Sequence, residues 1–203
     1  MINDVQKDFF KEIINIGVGR AADLLNTIIN KHITLEVPYI KISELENLEV
    51  EMNSPGSDSY SLVNMKFDGK ISGNANLLFT SIDATLLVNT FVGEENEHGD
   101  IDALKSGALN EIGNIVLNSL IGTFSNYLKE NLEYSVPEYN EGELKHLLKI
   151  NSDKYEDTVI VAHTRFNIDE LDIVGDFILL LELGASDVLI NNLNLLGDNY
   201  FEE

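Results

Sequence analysis

The sequence predicts an α+β fold: a single pseudo-twofold-symmetric domain of two α-β-β-β-α repeats, with a mainly antiparallel sheet and two long helices packed on it. Three observations predict it. The octet from Asp8 to Asn15 matches the octet from Gly107 to Asn114 at an offset of 99 residues, with Glu12/Glu111, Ile13/Ile112 and Asn15/Asn114 identical. After each Asn, 22 residues intervene before a proline, which adds Val37/Val136 and Pro38/Pro137 to the identities. Ile71-Ser72-Gly73-Asn74 aligns with Ile173-Val174-Gly175-Asp176 at an offset of 102, so the repeat extends past the motif and the second copy carries a three-residue insertion. Neither half of 203 residues has enough core to stand comfortably alone, so the repeats, about 1–98 and 99–203, merge into one domain over 1–203. Strands joined by hairpins and flanked by helices define the α+β class.

Each element has its own signal. Residues 4–31 read as one long helix, with Phe10, Ile14, Gly17, Ala21, Leu24, Leu25 and Ile28 recurring at helical steps on one stripe. Gly17 and Gly19 weaken a helix, and a close helix-helix approach accounts for them. His32 to Ile42 alternates as a strand, with Pro38 at an edge or bulge. Asn53–Asp58 is a loop. Tyr60–Phe67 and Lys70–Thr80 are strands joined by Asp68-Gly69, a hairpin signal. Ser81-Ile82-Asp83 caps a short helix through Val92, and Glu94–Asp100 is a charged connector. The second copy follows the same order. A helix covers about Ile101–Asn131, a strand surrounds Val136, and a polar segment runs from Asn151 to Asp157. Strands at Thr158–Ile168 and Leu171–Leu183 then precede a helix at Ser186–Leu196.

Composition narrows the function. With 44% hydrophobic residues the chain can pack a core, and its net charge of −22 argues against nucleic-acid binding. There is no cysteine, so disulfides, thiolate metal sites and Cys nucleophiles are excluded. No apolar run approaches the roughly 20 residues that span a bilayer, and no membrane insertion is expected. The N-terminus lacks the order of a signal peptide, so a cytoplasmic location is expected. His32, His98, His146 and His163 are scattered without ligand spacing, and no metal site is expected. Gly17-Val18-Gly19 lies within a helix and is not a nucleotide loop. Arg20 reads as a surface or capping residue.

One polar constellation is repeated. At about 100° per residue, Asp8, Glu12 and Asn15 fall within about 60° of one another on the helix, as do Glu111 and Asn114 in the second copy. A solvated helix face would also carry Glu and Asn. Two facts count against that reading: Asn is a poor mid-helix residue, and it recurs while its neighbours drift, as Lys11/Asn110 and Gln6/Lys105 do. Asn can donate and accept hydrogen bonds together, which suits it to holding a water; Glu can pair with a partner's cation or act as a base. One carboxylate and one amide make a thin metal site. The chemistry is incomplete in this chain alone, which points to a macromolecular substrate carrying its own electrophile and metal.

The pattern Asp/Ser-x-x-x-Glu-x-x-Asn, then 22 residues, then Pro resembles the signature of the CheC/CheX/FliY family of bacterial chemotaxis phosphatases. Asp8, Glu12, Asn15 and Pro38 match every element. Glu111, Asn114 and Pro137 match in the second copy, where Gly107 stands at the Asp/Ser position and Ser106 one residue early. The two-site arrangement resembles CheC rather than the single-site CheX. The resemblance implies hydrolysis of the aspartyl phosphate of a CheY-type response regulator. In that reading Asn15 and Asn114 orient the attacking water, Glu12 and Glu111 engage the regulator's lysine, and Asp8, Pro38 and Pro137 support them. It implies no cofactor bound by this chain, with Mg²⁺ on the regulator, and CheD as a further partner. The family also resembles the middle domain of FliM, so the alternative is a non-catalytic interaction module, CheD-binding or a FliM-like scaffold.

Overall fold

Asn3 starts the first helix with a reciprocal cap. Its Oδ1 accepts the Gln6 N–H at 2.9 Å while Gln6 Oε1 accepts the Asn3 N–H at 2.8 Å, so two groups left orphaned at a helix start are satisfied together. The computed structural model describes residues 3–29, 32–52, 59–92, 101–148, 155–168 and 171–200. In it α1 (Asp4–Ile29) leads into β1 (Ile33–Glu44), a 3-10 turn (Leu45–Asn47) and the short α2 (Leu48–Glu51). Then come β2 (Tyr60–Asp68), β3 (Gly73–Thr80) and α3 (Ser81–Val92). The second copy gives α4 (Ile101–Leu128), β4 (Glu133–Tyr134), β5 (Glu138–Gly142), α5 (Leu144–Leu147), β6 (Tyr155–Ile168), β7 (Leu171–Glu182) and α6 (Ala185–Tyr200). The expected loop at 53–58, the connector and repeat boundary near residues 94–100, and most of the polar segment at 151–157 lie outside the described residues.

The strands form one antiparallel sheet in the order β1-β6-β7-β3-β2, with β4 and β5 both paired to β2 at the far edge. Exchanging the repeats reverses this order onto itself: β1 corresponds to β4 and β5, β2 to β6, and β3 to β7. Across the central pair Asn76 faces Ile178, and Asn76 Nδ2 donates to Ile178 O at 3.2 Å. Those residues are 102 apart, the offset of the strand repeat, so the pseudo-twofold passes between them. The repeated glycines lie at this seam. A Cβ on Gly73 would sit 2.2 Å from Leu180 O, and one on Gly175 would sit 2.6 Å from the Phe79 ring. The expected pseudo-twofold sheet with two long helices is the one observed.

All four longer helices cover one face of this sheet. Phe10, Ile14 and Leu25 of α1, Leu87 of α3, Leu117 and Phe124 of α4 and Leu189 of α6 join Phe166, Phe177 and Leu179 in one core. Phe10 and Phe124 stack with ring centroids 5.1 Å apart, an arrangement worth about 0.5–1.5 kcal/mol beyond the area it buries. Gly17 lets α1 and α4 meet: a Cβ there would lie 2.9 Å from Leu120 Cδ2 and 3.1 Å from Leu120 Cα. Arg20, at the surface, ties the same crossing by donating from Nη1 to Thr123 Oγ1 at 3.1 Å. The opposite face carries a smaller cluster that includes Leu48, Tyr60, Leu62, Leu144 and Ile178, covered by α2 and α5. No helix among the described residues is long and apolar enough to cross a membrane.

Several local expectations are corrected. Leu24 and Ile28 are not core residues but are 52% and 57% exposed, although Leu25 between them is fully buried. Gly19 has nothing within 4 Å of a Cβ, so only Gly17 serves the crossing. Asp68 stays in β2, and the hairpin turn is Gly69–Ser72, held by Ser72 Oγ donating to Asp68 Oδ1 at 2.9 Å. Thr80 rather than Ser81 caps α3, its Oγ1 accepting the Asp83 N–H at 3.1 Å. The α4 helix stops at Leu128 because Lys129 takes φ 54° and Glu130 N then donates to Ser125 O. That is a left-handed helix ending of the kind usually made with Gly, so the sequence did not announce it.

The candidate site on the paired helices

In the first copy the site is α1 held against an edge-strand bulge. Pro38 has no N–H to offer a ladder, and the β1–β6 register is interrupted between Glu36 and Tyr39. The bulge releases the Val37 N–H from the sheet while Val37 itself is buried, and a buried N–H requires an acceptor. Asn15 supplies it, its Oδ1 accepting the Val37 N–H at 3.2 Å. One turn earlier Lys11 Nζ donates to Pro38 O at 2.6 Å. The spacing from Asn to Pro thus has a direct structural meaning: it brings the helix amide opposite the amide that the proline bulge frees. Asn15 is half-buried, and Asp8 and Glu12 beside it are exposed.

The second copy holds its Asn differently. Val136 is not in a strand as expected: β4 ends at Tyr134, β5 begins at Glu138, and the break falls on Ser135–Pro137. The two copies present opposite faces at this point. Val37 is 2% exposed and Pro38 outward, whereas Val136 is 82% exposed and Pro137 is buried. The identical residues Val37 and Val136 therefore occupy opposite environments. Asn114 accepts instead from its own helix, with Asn118 Nδ2 donating to Asn114 Oδ1 at 2.7 Å. Glu111 is exposed and Asn114 half-buried, as at the first site. Gly107 is exposed with open space around a built Cβ, so nothing replaces the carboxylate that Asp8 supplies.

The two Glu-Asn pairs thus stand on equivalent turns of helices that pack against each other, with the Glu in solvent and the Asn fixed by its oxygen. Sequence reasoning missed Lys11, whose drift to Asn110 read as neutral, and Asn118. Their four-residue steps from Asn15 and Asn114 were the available signal. Of the histidines, His98 lies outside the described residues, and His32 and His146 are exposed. His163 is buried in β6, its Nδ1 2.7 Å from Asp176 Oδ1 in a contact that is close but not aligned as a hydrogen bond, with the Tyr39 ring 4.3 Å away. No group of three or more His, Cys, Asp or Glu side chains suited to holding a metal occurs among the described residues.

Known proteins share the fold and part of the sequence. No protein-family model matches the chain. The FliY structure from Thermotoga maritima superposes with a TM-score of 0.75 at 19% identity, covering 96% of this chain and 98% of that one. FliM in its complex with SpeE from H. pylori gives 0.71 at 9% identity, over 97% and 98%. CheX, in a complex with CheY, BeF3 and Mg²⁺ from Borrelia burgdorferi, gives 0.52 at 13%, over 84% and 98%. The fold is that of the pseudo-twofold domains of these proteins. In sequence, the chain is 28% identical over 142 residues to the CheY-P phosphatase CheC of Bacillus subtilis, covering 68% of this chain and 66% of that protein. It is 19% identical over 186 residues to the flagellar motor switch phosphatase FliY of the same organism, over 89% and 47%. In sequence and in fold the chain is similar to members of the CheC/CheX/FliY family.

Proposed function

We propose that this chain is a cytoplasmic phosphatase that accelerates hydrolysis of the aspartyl phosphate of a CheY-type response regulator. The observation that carries the reading is the repeated Glu-Asn pair, exposed Glu and oxygen-anchored Asn, at equivalent positions of both long helices. The CheY-P phosphatase name of a relative and the CheX complex with CheY support it.

The residues divide the work. Glu12 and Glu111, free in solvent, engage the lysine beside the regulator's phosphoryl group and set the docking register. Asn15 and Asn114 hold the attacking water in line with phosphorus. An amide oxygen has two lone pairs, so one can take the anchoring N–H while the other accepts a hydrogen bond from the water and leaves the water's own lone pair directed at phosphorus. Fixing that geometry in advance is the main contribution available to a protein in phosphoryl transfer. The Mg²⁺ that neutralises developing charge belongs to the regulator. Asp8, Pro38 and Pro137 support these groups, and CheD is a further proposed partner. The deciding experiment follows phosphoryl loss from a phosphorylated CheY-type regulator with and without this protein; a rate equal to the regulator's own would reject the reading. The likeness to FliM favours one other function, a scaffold that binds without hydrolysis, which that same null rate would support.

A further inference from the structure

We propose that Asn118 is a positioning residue for the second site, doing with a side chain what the Val37 backbone N–H does at the first. The proposal rests on the phosphatase reading and extends it to a residue outside the family motif. Its first support is geometric. Both motif Asn side chains are anchored through Oδ1, by Val37 N at 3.2 Å and by Asn118 Nδ2 at 2.7 Å. In the second copy Val136 lies in the strand break, 82% exposed, and the donor to Asn114 Oδ1 comes from the residue one turn along α4. The position equivalent to Asn118 at the 99-residue offset is Gly19, which faces open space and offers no donor where none is needed.

The second support is energetic. Asn118 Oδ1 is buried without a hydrogen-bond partner. A buried unsatisfied acceptor opposes folding, and Asn is itself a poor residue within a helix. Stability alone would favour Ala or Leu at this position. A residue that costs stability twice while donating to the one repeated amide is placed by the work of that amide.

The test uses the full chain and a phosphorylated CheY-type regulator. Asn15→Ala isolates the second site, and Asn118→Asp is added to it: the carboxylate matches the amide in size and cannot donate. The expected result is a second-site rate lowered about fivefold to tenfold, of the order of one lost hydrogen bond. The loss falls on kcat with KM unchanged, because Glu111 rather than Asn118 meets the regulator. Asn118→Gln, which keeps a donor, recovers part of the rate. Asn118→Ala lowers the rate likewise while the melting temperature holds or rises. Relaxation of the Asn114 side-chain amide by NMR gives a reading independent of catalysis: it becomes more mobile in Asn118→Asp. An unchanged amide signal overturns the contact, and a mobile amide with an unchanged rate overturns its catalytic consequence. Full activity in the Asn15→Ala/Asn114→Ala double variant would instead overturn the phosphatase reading itself.

Discussion

Replacing Asn15 tests structure and mechanism together. Read as an exposed mid-helix position, Asn15→Ala should leave folding untouched or favour the helix by roughly 0.5–0.7 kcal/mol. The structure reverses that sign. Asn15 Oδ1 is the acceptor for the Val37 N–H, and Val37 is 2% exposed, so truncation leaves a buried donor unpaired at about 1–3 kcal/mol. The net expectation is a loss of about 1–2 kcal/mol, which for a chain of this size lowers the melting temperature by roughly 2–8 °C. Asn15→Asp separates the two roles. A carboxylate still accepts the Val37 N–H, so its melting temperature should stay closer to wild type, less a few tenths of a kcal/mol for like charge beside Glu12. It also sets a negative charge against the anionic phosphoryl group, so first-site hydrolysis should fall on the order of 10²-fold in both variants, measured in an Asn114→Ala background. The assays are a thermal melt and single-turnover phosphoryl loss. An unchanged or raised melting temperature in Asn15→Ala refutes the tether; full first-site rate in Asn15→Asp refutes the need for a neutral amide.

Because Gly107 leaves the second site without the carboxylate of Asp8, Asn114→Ala should cost less of the wild-type rate than Asn15→Ala, and the double variant should fall to the regulator's own rate. Gly17→Val drives a side chain into Leu120 at the helix crossing and should destabilise by about 1–3 kcal/mol in denaturant unfolding, whereas Gly19→Ala meets nothing and should stabilise by about 0.5–1 kcal/mol. Glu130 is held below its ordinary 4.5, first by the Asn192 amide and then, against some opposing burial, by Lys70. A lowered carboxyl pKa contributes stability that is present above the unfolded value and lost as pH falls through the folded one. Melts of Asn192→Ala should therefore differ from wild type at neutral pH and converge with it as the pH drops below 4.5. On the proposed reading, in which the Mg²⁺ is the regulator's, EDTA should abolish the stimulated hydrolysis without shifting this protein's own melting temperature; a shift would show that this chain holds a metal.

Much of this protein was determined by its sequence. The duplication, the α-β-β-β-α order and the Glu-Asn ridge were legible because they depend on local periodicity and on identities at a fixed offset, such as Glu12/Glu111 and Gly73/Gly175. Helix α3 and strands β2, β6 and β7 fell near their expected bounds for the same reason. What only the tertiary structure decided depends on where elements end relative to one another. Leu24 and Ile28 sit on the apolar stripe of α1 yet are exposed while Leu25 between them is buried, so periodicity marked them as core and packing did not. Pro38 and Pro137 are the same residue at the same spacing. Yet with a bulge in one edge strand and a break in the other, Val37 is inward and Val136 outward, a difference that leaves no mark on composition. The partners of the two Asn side chains differ with it, a backbone N–H in one copy and the Asn118 side chain in the other. Sequence could name the repeated amides because Asn is costly within a helix. It could not name what holds them, because in the first copy the holder is a backbone N–H, which every residue except proline possesses and only the fold can free.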